Sequence, residues 1–164
     1  HPHVFDKQDN GLTSDEVLNR WENIKADTST RKKYYVLNGL PESMPALLKA
    51  YRIQEKVARF GFDWNDPLEI FDKIDEEKSE IMQAIREGDN EKLEEEMGDI
   101  LFTIVNLCRH YRIVPEMALS ATCEKFRKRF STMEDYIRQD GLELGKLDIK
   151  RLDEYWERAK REKG

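Results

Sequence analysis

Glu77, Glu80, Glu96 and Asp99 stand at helical spacing within EEKSEIMQAIREGDNEKLEEEMGD, residues 76–99. That stretch carries ten acidic and three basic side chains and runs directly into the apolar segment ILFTIV. Four ionised carboxylates at one partly buried level repel one another and lose hydration, so without a counter-ion some must take up protons. A hard divalent cation removes that conflict. Oxygen donors with no histidine or cysteine beside them suit Mg2+ or Mn2+ better than Zn2+ or copper.

Two helices and a tight turn must bring these groups together. Asp66 is a cap and Pro67 a first helical residue, where its missing N–H costs nothing, and the helix they open runs to about Glu87, with Gly88 closing it. Its buried stripe is expected through Ile70, Ile74, position 77, Ile81 and Ile85. Position 77 is a glutamate, and Glu80 lies one turn further along nearly the same face. A third helix starts at Asn90 and runs to about Arg112, with its stripe expected through Leu93, Met97, Ile100, Ile104 and Leu107 and with Glu96 and Asp99 flanking it. In an antiparallel hairpin, distance from the turn fixes height at about 1.5 Å per residue. Glu80 and Glu96 then share one level, Glu77 and Asp99 the next. For Glu77 the rival reading is a buried ion pair with a lysine or arginine, while Glu87, Glu91 and Glu94 read as a solvated face.

The remaining pattern is helical throughout. Thr13 and Glu16 form a capping box for a short helix over about 14–26, and the polar run Asp27 to Lys33 ends it. Ser43 precedes a helix carrying Leu47, Leu48, Tyr51 and Val57 that stops at Gly61. Pro115 opens a fourth long helix that ends before Gly141, and Asp148 caps a last one bearing Leu152, Tyr155, Trp156 and Ala159. The expectation is an all-α antiparallel bundle of four to five helices over residues 39–164, with residues 1–38 a remnant and linker.

Composition limits the function classes. A chain of 164 residues suits one core, and a net charge of −6 argues against broad binding to nucleic acid or an anionic membrane. Cys108 and Cys123 form no paired metal spacing and read as reduced thiols, which points to the cytoplasm. The longest apolar run is far shorter than a membrane span, and no signal peptide is visible. The first residue is His1 and not Met, which reads as a piece of a longer protein.

EEKSE at 76–80 and EMGD at 96–99 fit the pattern EExxE then ExxD, and here the chain resembles the all-α nucleoside triphosphate pyrophosphohydrolases that include MazG and the dimeric dUTPases. Met44 to Ala50, IQEKVARFGFDW at 53–64, EEEMGDILF at 94–102 and KFRKRF at 125–130 together resemble the C-terminal catalytic domain of the MazG family. HPHVF at 1–5 is similar to the tail of that family's N-terminal domain. The resemblance implies a homodimer that completes its core across a two-fold axis. It also implies Mg2+-dependent hydrolysis of ribo- and deoxynucleoside triphosphates to monophosphate and pyrophosphate, through water attack at the α-phosphorus. The metal ligands would be Glu77, Glu80, Glu96 and Asp99, with Glu76 or one of the ligands orienting or deprotonating the water. Lys125 and Arg129 would contact phosphate or nucleotide, and Trp156 would pack against the base. Lys125, Lys128 and Arg129 are also spaced as an ordinary basic face, and Trp156 as a core or interface anchor. Cys123 departs from the family's NxKFxxRF, where asparagine is common. The alternatives are a narrower dUTPase-like or modified-nucleotide enzyme, and a non-catalytic acidic helical module that docks a basic partner.

Overall fold

The computed structural model describes residues 35–163, together with Asp15, Glu16 and Asn19, which are helical and exposed. The rest of the helix expected over 14–26 lies outside the described residues. Among these residues there are five α-helices, one 3-10 turn and no strand, so the chain is all-α. It divides into two compact units, His1–Asn106 and Leu107–Gly164.

In the first unit, α1 is Ala46–Ala58, α2 is Pro67–Glu87, and α3, Asn90–His110, contributes its residues up to Asn106. α2 begins where the sequence places it: Asp66 Oδ1 accepts the Leu68 N–H at 2.9 Å. It ends at Gly88, whose φ of 66° is left-handed, and the Asp89 N–H turns back to the Ala84 carbonyl at 3.1 Å. Asp89 Oδ1 then accepts the Lys92 N–H at 3.1 Å and caps α3. A two-residue turn made of the two caps, Gly88 and Asp89, fixes the hairpin's register. α1 is pinned to α3 by Gln54, which is buried and donates from Nε2 to the Phe102 carbonyl at 2.9 Å.

The inward faces differ from the expected stripes at three positions. On α2, Ile70, Glu77 and Ala84 are buried while Ile85 is 58% exposed. Ala84 stands seven residues beyond Glu77, two turns of helix, whereas Ile85 is rotated a further ~100° away. On α3, Glu96, Thr103, Val105 and Asn106 are buried, while Met97 and Ile104 are over 40% exposed. α3 carries more apolar residues than one face can bury, and the face turned inward includes the polar line Glu96, Thr103 and Asn106. Hydrophobicity alone could not choose between the two faces.

In the second unit, α4 is Pro115–Gln139, a 3-10 turn covers Leu144–Lys146, and α5 is Ile149–Lys163. Asp148 Oδ1 accepts the Arg151 N–H at 2.9 Å, which is the expected cap. Met133, Tyr136 and Ile137 of α4 pack with Tyr155 and Ala159 of α5, and Phe130, Leu144, Leu147, Leu152 and Trp156 close the edges.

Candidate metal centre and basic helix

Glu77 on α2 and Glu96 on α3 are 4% and 2% exposed, unusual burial for carboxylates. The hairpin turn brings them face to face, and an oxygen from each lies within 4.8 Å of the other and of one from Asp99, which is exposed. Each buried glutamate has one oxygen engaged by a lysine a turn earlier. Lys73 Nζ is 3.3 Å from Glu77 Oε1, and Lys92 Nζ is 3.1 Å from Glu96 Oε1. The second oxygens, Glu77 Oε2 and Glu96 Oε2, are buried, and with both groups ionised no donor meets them. Buried acceptors of this kind cost free energy unless something meets them.

The protonation pattern follows from that crowding. Burial first, then the hydrogen bond with Glu96, pushes the Glu77 carboxyl up, against the pull of Lys73. The Glu80 carboxyl is also raised, chiefly by its hydrogen bond with Glu96. Glu96 goes the other way, held down by hydrogen bonds from Glu77, Lys92 and Glu80 in spite of burial. Crowding thus opposes ionisation of Glu77 and Glu80 and favours it at Glu96. The donor set fits a hard divalent ion: carboxylate oxygens from three or four residues, two of them already desolvated and unmet.

Of the residues singled out in the sequence, the hairpin joins Glu77, Glu96 and Asp99 directly, with Glu80 alongside Glu96. Glu76 is exposed and lies 3.2 Å from Lys73 Nζ, outside the three-carboxylate group. The ion-pair reading of Glu77 is realised through Lys73, yet it uses only one of the two oxygens. Lys73 and Lys92 were not picked out from the sequence. Their common signal was there: each stands four residues before a glutamate on an inward stripe.

On α4 of the second unit, Lys125 is exposed and Arg129 half-buried, and neither makes an ion pair among the described residues. Arg127 is occupied instead by Glu124. Phe126 stacks on Phe130 with ring centroids 6.1 Å apart and meets the Trp156 indole at 5.0 Å, tilted by 39°. Trp156 is half-buried and Phe126 is 56% exposed, so the pair offers an aromatic surface next to two unpaired cations. Helical spacing alone puts Phe126 on a face adjoining Lys125, Lys128 and Arg129. Its contact with Trp156 depends on how α5 returns to α4, which no local pattern encodes.

Comparison with known proteins bears on this arrangement. Residues 66–133, which include all the acidic residues above, match the family described as the MazG nucleotide pyrophosphohydrolase domain. The chain is 45% identical over 160 residues to a nucleoside triphosphate pyrophosphohydrolase/pyrophosphatase MazG of Thermotoga maritima, covering 98% of this chain and 60% of that protein. It is 42% identical over 165 residues to a nucleoside triphosphate pyrophosphohydrolase of Escherichia coli K12, covering 99% of this chain and 62% of that protein. An uncharacterized protein of Bacillus subtilis, YabN, is 40% identical over 161 residues, 98% of this chain and 33% of its own length. The chain thus spans less than two thirds of the length of each of these relatives.

Proposed function

We propose, for a chain that belongs to the MazG family, that residues 39–164 hydrolyse nucleoside triphosphates to the monophosphate and pyrophosphate. The observation that carries this reading is the pair of buried carboxylates, Glu77 and Glu96, whose second oxygens are unmet and converge with Asp99. Glu77, Glu80, Glu96 and Asp99 hold Mg2+, for which Mn2+ is a chemical substitute. When bound, the ion neutralises phosphate oxygens and acidifies water for attack at the α-phosphorus. The chain's own residues do the rest. Lys73 and Lys92 hold the two buried carboxylates in place through their other oxygens. Glu76, exposed and tethered only by Lys73, is free to orient or deprotonate the water. Lys125 and Arg129 bind phosphate oxygens, and Trp156 with Phe126 receives the base.

The substrate range is broad across ribo- and deoxynucleotides, because stacking tolerates any base. The working unit is a homodimer in the cytoplasm, with neither a membrane nor nucleic acid among its partners. Among the described residues no helix is long and apolar enough to cross a membrane. A docking module would keep its carboxylates where a basic partner can reach them. Here Glu77 and Glu96 are turned inward, which favours the enzyme.

The test is pyrophosphate release from a panel of ribo- and deoxynucleoside triphosphates, with and without Mg2+. Metal-dependent release of pyrophosphate and monophosphate is expected, with Glu96→Gln and Asp99→Asn each lowering turnover by more than about 100-fold. Turnover retained in both variants would remove the metal assignment. Release confined to one base would replace the broad reading with the dUTPase-like one.

A further inference from the structure

Tyr155 and Asp140 have no part in the proposed chemistry, yet they make a short polar contact that joins two helices of the second unit. Tyr155 is 6% exposed, and its hydroxyl donates to Asp140 Oδ2 at 2.5 Å. That length belongs to a charge-assisted O–H to carboxylate bond. Asp140 is the residue after α4, immediately before Gly141, whose φ of 72° reverses the chain. The bond therefore ties the middle of α5 to the far end of α4. A second tie lies beside it, with the Arg158 guanidinium 3.9 Å above the centre of the Tyr136 ring.

Trp156 is the next residue along α5, and its indole reaches the opposite way, to Phe126. Phe126 and Asp140 are fourteen residues apart, about 20 Å along α4. Neighbouring side chains on α5 thus brace it against two distant points of one helix. Consecutive residues on a helix differ by about 100° in direction, so fixing Tyr155 fixes where Trp156 points. Leu152 and Ala159 complete the α5 side of the packed cluster, and Arg158 meets Tyr136 beside it. We infer that Tyr155 and Asp140 are positioning residues that set the rotation of α5, and so hold the Trp156 indole against Phe126 as the surface on which the nucleotide base stacks. The inference rests on the reading of Trp156 as a base contact.

A double-mutant cycle on nucleoside triphosphate hydrolysis separates the two claims. Trp156→Ala should raise KM about tenfold with little change in kcat. Tyr155→Phe, which removes one oxygen and keeps the ring, should raise KM about fivefold, with kcat held. It should add nothing in the Trp156→Ala background. Asp140→Ala should reproduce Tyr155→Phe, while Asp140→Asn, which keeps an acceptor in place, should stay near the parent value. If Tyr155→Phe folds poorly, the Asp140 pair carries the same comparison. Unchanged KM in both Tyr155→Phe and Asp140→Ala, beside a raised KM in Trp156→Ala, would overturn the positioning role. Equal effects of Tyr155→Phe with and without Trp156 would also overturn it, by showing a general loss of stability. An unchanged KM in Trp156→Ala itself would overturn the base contact, and it shows in a variant with Tyr155 intact.

Discussion

At the level of single residues, the acidic cluster makes stability, pH and metal one linked quantity. An unfolded glutamate titrates near 4.5, and the native Glu77 and Glu80 carboxyls titrate above that. Below the unfolded value both states carry these protons, and the native contribution is fully present. As pH rises through the native values, the unfolded chain has already released protons that the native state still holds, so stability falls. Glu96, lowered in the native state, acts with the opposite sign and only in acid, where its contribution is lost as pH falls. The metal-free protein is therefore expected to lose thermal stability as pH rises above the ordinary carboxylate range, and Mg2+ to restore it by an increment that grows with pH. Thermal melts in chelator and in Mg2+ over that rise in pH check the slope. Glu77→Gln should flatten the metal-free slope and abolish most of the Mg2+ increment. A slope that survives in Glu77→Gln would locate the titration elsewhere. Lys125→Ala addresses a different residue: KM for the triphosphate should rise about tenfold while the Mg2+ increment in melting stays, since a phosphate contact and a metal ligand are different tasks.

At the level of elements, the hairpin of α2 and α3 is where sequence and structure agree most closely, and the reason is local chemistry. Asp66, Pro67 and Gly88 are signals that act within a few residues, and each acts where the sequence places it, while the Asp89 cap of α3 is equally local. Gly88 sits at φ 66° with open space where a Cβ would be, so Gly88→Ala carries backbone strain and no clash. It should destabilise by about 1 kcal/mol in a urea melt with turnover per folded molecule retained. A larger loss of turnover than of stability would mean that the turn tunes the site beyond joining two helices. The face of α3 was less legible. Met97 and Ile104 satisfy helical periodicity as well as the residues that are in fact buried, and inward burial of Glu96, Thr103 and Asn106 inverts the usual preference. Periodicity finds a face; it does not say which of two faces a neighbour will cover. The pairing of Trp156 with Phe126 was illegible for a related reason, because it joins residues thirty apart through the geometry of two helices.

For the whole molecule, the apolar residues left exposed on the first unit argue for a second copy. Among the described residues the first unit buries only Ile70, Ala84 and Val105 of its apolar side chains, yet leaves Leu68, Phe71, Met82 and Ile85 of α2 and Met97, Leu101 and Ile104 of α3 more than 40% exposed. Patches of this extent mark interfaces. The α2 residues have an order that suits a two-fold axis. About a point between residues 76 and 77, an antiparallel copy of α2 places Leu68 opposite Ile85, Phe71 opposite Met82, and Asp75 opposite Lys78. Asp75 and Lys78 are exposed and make no ion pair among the described residues. The helix is thus complementary to itself in both hydrophobicity and charge, as an isologous interface requires. Sedimentation should give a dimer for the parent chain. Asp75→Lys and Lys78→Asp should each weaken it by setting like charges opposite one another. The double exchange, Asp75→Lys with Lys78→Asp, should restore the dimer, and a mixture of the two single variants should yield a heterodimer in which every facing pair is again opposite in sign. A parent chain that sediments as a monomer at micromolar concentration would refute the dimer, and single variants as tightly paired as the parent would move the interface off α2.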